Sequence, residues 1–159
     1  MSPAPNSFHQ DISGNLFFEL RSYINKGTCK LYAAPFDVRL INYKESTADN
    51  QIITVVQPDL CVICDRTKID EKGCIGAPDL IIEILSPGNS KKEMNIKYDL
   101  YEENKVREYW MVNPSEKTII IFVLQNDKYI GIKPLIFDSK LQSPTFPDLK
   151  FAVKKIFKT

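Results

Sequence analysis

No apolar run in this 159-residue chain approaches the roughly 20 residues that a membrane-spanning helix needs. The Met1 end also lacks the basic-then-apolar pattern of a signal peptide, so a cytoplasmic protein with no membrane partner is expected. Charge of one sign is missing too: Lys+Arg 21 against Asp+Glu 20 leaves a net charge of +1. Such a balance supplies no overall field to steer a polyanion, and a nucleic-acid partner would need a local patch. Internal repeats and low-complexity segments are absent, which excludes solenoids and arrays. Cysteine is scarce, at Cys29, Cys61, Cys64 and Cys74. Cys61 and Cys64 lie in a strand-like run and would point to opposite faces, whereas zinc knuckles and redox pairs use loops or helix starts. Reduced, partly buried thiols are the expectation, with a structural zinc as the alternative.

What is present fits an ordinary globular protein, with 43% hydrophobic and 26% charged residues. The length suits one domain over residues 1–159 with a core of its own. The organising stretch is Gly76-Ala77-Pro78-Asp79-Leu80-Ile81-Ile82-Glu83-Ile84-Leu85-Ser86-Pro87. Between its prolines runs an apolar segment too short for a helix and rich in β-branched residues, which predicts a strand. Leu80, Ile82 and Ile84 fall on one face, and Ile81 and Leu85 on the other with Asp79 and Glu83. Apolar residues on both faces place the strand in the interior. Glu83 is then in a core, where an ionised carboxylate is costly unless a metal or a cation compensates it.

Ahead of that strand, Phe8 to Lys26 reads as an amphipathic helix on Ile12, Leu16, Phe17, Leu20, Tyr23 and Ile24, closed by Gly27. His9 projects into the middle of its apolar arc and Glu19 to the edge. A hydrogen-bonded core histidine is the favoured reading of His9, and a phosphate-binding or proton-relaying one the alternative. Lys30–Ala34, Phe36–Ile41, Ile52–Val56 and Asp59–Cys64 are β-type runs, and 65–78 reads as a connection. That connection joins two antiparallel neighbours and sets Asp59 near the Asp79–Glu83 face. Ser90 and Glu93 form a capping box that opens a helix running to about Asn104. Met94, Ile96, Tyr98, Leu100 and Tyr101 make its apolar arc, and Lys97 falls inside that arc. A lysine so placed wants a carboxylate partner, or else snorkels outward. Glu108–Val112 is a further strand, so strand, helix, strand argues a parallel right-handed crossover. A hairpin around Gln125-Asn126-Asp127 and a late strand at Leu149–Val153 follow.

Two carboxylates on adjacent strands with a lysine from the next helix form a constellation with known chemistry. Carboxylates suit a hard cation such as Mg²⁺ (or Mn²⁺), which needs only one or two protein oxygens and keeps its waters. A cation so held polarises a phosphoryl oxygen, and a lysine beside it stabilises developing charge.

Val56-Gln57-Pro58-Asp59-Leu60, the Gly76–Pro87 stretch, Lys97-Tyr98-x-x-Tyr101 and Val106-Arg107-Glu108-Tyr109-Trp110 with Asn113-Pro114 together resemble one pattern. It is that of a bacterial family of putative restriction endonucleases, abundant in cyanobacteria, in the PD-(D/E)XK nuclease superfamily. Pro35-Phe36-Asp37-Val38-Arg39-Leu40 and Ile156-Phe157 extend the resemblance over nearly the whole chain. The resemblance implies an α/β (α+β) fold with a restriction-endonuclease-like core: helix, three strands, helix, strand, in a mixed central sheet with extra C-terminal strands. It implies a Mg²⁺- or Mn²⁺-dependent endonuclease acting on DNA, and a homodimer. Asp59 and Glu83 take the places of the metal-binding acids, with the Ile84 carbonyl as a further ligand. The superfamily's Glu-x-Lys lysine is missing, because Leu85 stands there; Lys97 is the migrated substitute. Asp79 is a second metal ligand or a turn cap. The alternative function is a catalytically weak or silent nucleic-acid-binding or regulatory protein that keeps the fold.

Overall fold

Ile12, Leu16, Leu20 and Ile24 recur every fourth residue, and a helix forms over Ser7–Ile24 (α1) that buries all four. The Asn6 side chain caps it, its Oδ1 accepting from the His9 N–H at 2.8 Å. The computed structural model describes residues 6–24 and 27–159, so the expected continuation of this helix to Lys26 lies outside the described residues. Strands follow at Lys30–Ala33 (β1), Asp37–Ile41 (β2), Ile53–Val56 (β3), Leu60–Ile63 (β4), Ile69–Asp70 (β5), Gly73–Ile75 (β6) and Leu80–Ile84 (β7). The second helix is Lys91–Glu103 (α2), opened by Ser90, whose Oγ accepts from the Glu93 N–H. Strands Glu108–Asn113 (β8), Thr118–Gln125 (β9), Lys128–Gly131 (β10), Lys140–Gln142 (β11) and Lys150–Ala152 (β12) complete the chain.

The central sheet has the order β1-β4-β7-β8-β9-β10. β4 lies antiparallel between β1 and β7, and β8 joins β7 in parallel through α2, as a strand–helix–strand crossover requires. The fold is therefore mixed α+β around helix, three strands, helix, strand, with β9 and β10 added as a hairpin. That hairpin turns at Asn126 and Asp127, both at positive φ, which suits a tight two-residue turn.

Alternation along β7 divides the core in two. Leu80, Ile82 and Ile84 face α1 and the C-terminal segment, with Trp110, Leu141, Phe151 and Ile156. Ile81 faces α2, with Leu100, Tyr101, Val106 and Tyr109. The helices thus cover opposite faces of one strand that is buried at all five positions.

Three expectations are corrected here. Residues 65–78 are more than a connection: β6 pairs in parallel with β2 inside a second sheet of order β3-β2-β6-β5. Gly73 makes this possible, because it sits at φ +136°, where a Cβ would run into the Asp37 carbonyl. Ile96, placed in the apolar arc of α2, is exposed. Finally, Cys29 and Cys64 form a disulfide, whereas Cys61 and Cys74 are free and buried. The β1–β4 register pairs Lys30 with Ile63, so one step further sets Cys29 opposite Cys64. Thiol titration of the unfolded chain is expected to find two reactive cysteines before reduction and four after. In the chain-entropy account, reducing a bridge across 35 residues should cost about 3–4 kcal/mol of stability.

Candidate active site

The β4–β7 register builds the site. Leu60 pairs with Ile82 and Val62 with Leu80, so Asp59 stands opposite Glu83 and Pro58 opposite Ile84. Pro58 has no N–H to offer the Ile84 carbonyl. The Ile84 N–H, which would ordinarily go to a backbone carbonyl, goes instead to Asp59 Oδ2 at 2.7 Å. The Pro-Asp pair therefore ends the ladder and puts a carboxylate where the next backbone group would have been. Residue Leu85 already pairs toward β8 through Val112 O, so both peptide groups of Ile84 face the Asp59 side.

Glu83 points to the α2 face. Its Oε2 lies 3.0 Å from Lys97 Nζ, and its Oε1 accepts from Tyr101 OH at 2.9 Å. Lys97 and Tyr101 are four residues apart on α2 and so share one stripe of the helix. Burial pushes the Glu83 carboxyl above its ordinary range; the Lys97 ammonium opposes that shift, and Asp59 adds to it. Burial also raises Asp59, against the pull of the Ile84 N–H, His9 and Lys97. Glu83 thus feels the charge of Asp59, and burial outweighs the compensating groups at both.

His9 reaches the site from the opposite helix. Its Nε2 is 3.5 Å from Asp59 Oδ1, so the favoured core-residue reading gives way to a placement beside the acidic pair. Asp79 is not brought there. It lies four residues back along β7, accepts the Cys64 N–H at Oδ2 (2.7 Å) and meets Arg107 at Oδ1 (3.4 Å). These are the contacts of a strand-end cap. Tyr101 is the residue that sequence reasoning treated only as apolar; its spacing from Lys97 was the available signal.

The donor set fits a hard cation. Asp59 and Glu83 bring oxygen donors to facing positions of β4 and β7, and the Ile84 carbonyl, to which Pro58 offers no N–H, is a third oxygen at the same end of the ladder. Mg²⁺ and Mn²⁺ accept such a set and fill the remainder with water. Among the described residues no three His, Cys, Asp or Glu side chains gather at ligand spacing, so a zinc-type cage is not formed.

Comparison with known proteins bears on this geometry. The profile of the Uma2 family, described as "Putative restriction endonuclease", matches residues 1–154. The chain belongs to the Uma2 family. A crystal structure of a putative nuclease belonging to DUF820 from Anabaena variabilis superposes on this Uma2 chain with a TM-score of 0.72 at 21% identity. The match covers 99% of this chain and 84% of that one, and it shows the shared restriction-endonuclease-like fold. The uncharacterized protein slr1290 of Synechocystis is 24% identical over 119 residues, 75% of this chain. The chain spans 58% of the length of that relative. No helix among the described residues is long and apolar enough to cross a membrane.

A second buried acid in this Uma2 chain is structural. Glu108 is fully buried on β8 and accepts from Trp110 Nε1 (2.6 Å), Ser143 Oγ (2.8 Å) and the Thr145 N–H (2.9 Å). Those donors tie the C-terminal segment to the sheet. Glu108→Leu leaves them unpaired and should destabilise the protein by about 3 kcal/mol. Denaturant titration measures this.

Proposed function

We propose that this chain, acting as one domain, is a Mg²⁺- or Mn²⁺-dependent endonuclease that hydrolyses DNA phosphodiester bonds. The observation that carries the proposal is the Asp59–Glu83 pair at the end of an interrupted β-ladder, with Lys97 Nζ 3.0 Å from Glu83. Asp59, Glu83 and the Ile84 carbonyl would hold the cation, which when bound would polarise a phosphoryl oxygen and neutralise charge that builds on it. Tyr101 OH fixes the Glu83 carboxylate in one orientation. Lys97 places an ammonium beside it, where it can orient the attacking water and meet the negative charge of the transition state. His9, on the far side of Asp59, is positioned to hold that carboxylate or to contact a phosphate oxygen. In hydrolysis the water oxygen bonds to phosphorus, the bond to the leaving sugar oxygen breaks, and the water proton departs as that oxygen gains one.

The alternative is a catalytically weak or silent protein; against it stands a cleft next to the site, lined by His9 and Leu85, which leaves room for a substrate beside the acidic pair. Lys91 and Lys92 stand exposed at the start of α2, whereas Lys105 is at its far end, 3.7 Å from Asp127. Lys91 and Lys92, outside the lining of the cleft, are the candidate phosphate contacts on a chain of near-neutral net charge. A homodimer would present two such sites to a duplex under two-fold symmetry, and a cytoplasmic location would give access to DNA. The test is incubation of pure protein with supercoiled, linear and branched DNA, with and without Mg²⁺ or Mn²⁺. Metal-dependent breakage of any form supports the proposal. Its absence from all three, in protein whose melting point rises with the same metals, would leave the silent reading.

A further inference from the structure

The cleft beside the acidic pair encloses about 540 Å³, within the roughly 300–1,000 Å³ typical of small-molecule sites. It adjoins the site through His9, which lines it and lies 3.5 Å from Asp59, and through Leu85, which follows Ile84. Its apolar lining comes from Phe8, Leu85, Pro87, Met94 and Pro114. Its polar lining is three amides with Ser86, Ser115, His9 and Glu116. Asn89 Oδ1 accepts the Ser86 N–H at 2.7 Å, Asn113 Oδ1 accepts the Ser115 N–H at 3.0 Å, and Asn6 Oδ1 caps α1. Each amide oxygen is therefore occupied and each NH₂ group is turned away from the backbone it caps. Among the described residues no acceptor meets any of the three nitrogens. An NH₂ group only donates, so the free polar capacity of these amides is donor capacity.

Apart from His9, the one ionisable residue in the lining is Glu116. Beyond the His9 end, a phosphate would sit beside a carboxylate with no lysine or arginine in the lining, so the cleft is ill suited to the DNA backbone. A neutral, flat, acceptor-bearing group suits it: apolar walls for the ring faces, amide donors for carbonyl and ring-nitrogen edges. We propose that the cleft takes one unpaired nucleobase of the substrate strand, next to the phosphate that a cation at Asp59 and Glu83 would meet. This rests on the nuclease reading and gives it a substrate class, DNA carrying an unpaired nucleotide in preference to perfect duplex. Extruding a paired base costs stacking and pairing energy, and a base already unpaired spares most of it.

The test compares a perfect duplex with the same duplex carrying a single bulged 2-aminopurine. Kd values are measured by anisotropy in EDTA, where no cleavage occurs, at one fixed ionic strength, because phosphate contacts scale with salt. The bulged duplex is expected to bind about tenfold or more tighter, with a change in 2-aminopurine fluorescence on binding. Asn89→Asp with Asn113→Asp keeps both Oδ1 caps and removes both donors. It should bring the ratio of the two Kd values toward one while the protein stays folded by circular dichroism. Met94→Trp, which fills the cleft, should do the same. The ratio is the readout because added carboxylates weaken both complexes together. A wild-type ratio near one, or a ratio unchanged in both variants, overturns the base-binding cleft and leaves the nuclease reading standing. No binding or cleavage of any DNA, with or without metal, overturns both.

Discussion

Glu83→Gln is expected to lower metal-dependent DNA cleavage by roughly 10³-fold or more, the upper end of what one transition-state-stabilising group contributes. The substitution keeps volume and leaves an oxygen for the Tyr101 hydroxyl, which now bonds Oε1 at 2.9 Å. It removes the charge that a cation would need. In a thermal melt, wild-type protein should gain Tm on addition of Mg²⁺ or Mn²⁺, as a ligand that binds only the folded state requires. The variant should gain much less. The pH dependence carries a sign that separates this from a merely structural defect. Burial raises the folded-state affinity of Glu83 for its proton above that of the unfolded chain, and Asp59 adds to the shift. The folded state then binds more protons, so in EDTA this group contributes stability as pH falls from neutral through its raised pKa toward ordinary carboxylate values. As pH rises the contribution is lost. Other carboxylates titrate in the same range, so the quantity to measure is the difference between wild type and Glu83→Gln across a pH series. That difference should shift toward the wild type as pH falls. A difference flat in pH, together with an undiminished metal-induced rise in Tm, would remove Glu83 from the cation site.

The features of the site that depend on one element were legible in the chain. An apolar strand with residues on both faces and one acid at Glu83 already implies a buried charge that needs compensation. The Ser90–Glu93 capping box fixes where α2 begins, and with it the face on which Lys97 lies. What depends on register was only partly legible. Asp59 was placed near a face shared by Asp79 and Glu83, but β4 and β7 run antiparallel, so Asp59 meets one end of β7 and Asp79 holds the other. Four residues of strand separate the two carboxylates, and alternation alone puts them on one face without saying which neighbour either meets. The Cys29–Cys64 bridge was invisible for the same reason, since it follows from pairing Lys30 with Ile63.

Long-range packing accounts for the remaining misreadings. β5 and β6 are two and three residues long, too short to carry a periodic signal, and they form because β2 offers an edge. His9 looks like a core residue by projection, because its arc on α1 is apolar. Only the approach of α1 to the end of β4 turns its ring to Asp59. Ile96 shows the converse: the arc of α2 is wider than the sheet beneath it, and the residue at its margin stays exposed.

Lys97→Met is expected to leave the fold intact and to reduce cleavage by roughly 10²-fold or more, the scale of losing one transition-state donor. The superfamily pattern puts a lysine two residues after the second acid, where this chain has Leu85. Lys97 supplies an ammonium from α2 instead, with Nζ 3.0 Å from Glu83 Oε2. Its side chain is 36% exposed, so the stem runs along the helix–sheet boundary and the head is not walled in. Replacing it with methionine keeps the stem's packing, and the buried Glu83 left without its cation takes up a proton, which its raised affinity for one makes easy, so the fold survives. The effect should therefore fall on turnover, with Mg²⁺ still raising Tm through Asp59 and Glu83. Lys97→Arg should restore little, since a planar fork does not occupy the place of a compact ammonium. Leu85→Lys in the Lys97→Met background is the rescue to try, because residue 85 shares the Glu83 face by alternation. Partial recovery of cleavage in that double variant would establish that the site needs a cation and not a particular helix position. Wild-type cleavage by Lys97→Met, in protein purified away from contaminating nucleases, would show that Lys97 is only the counter-ion of a buried acid.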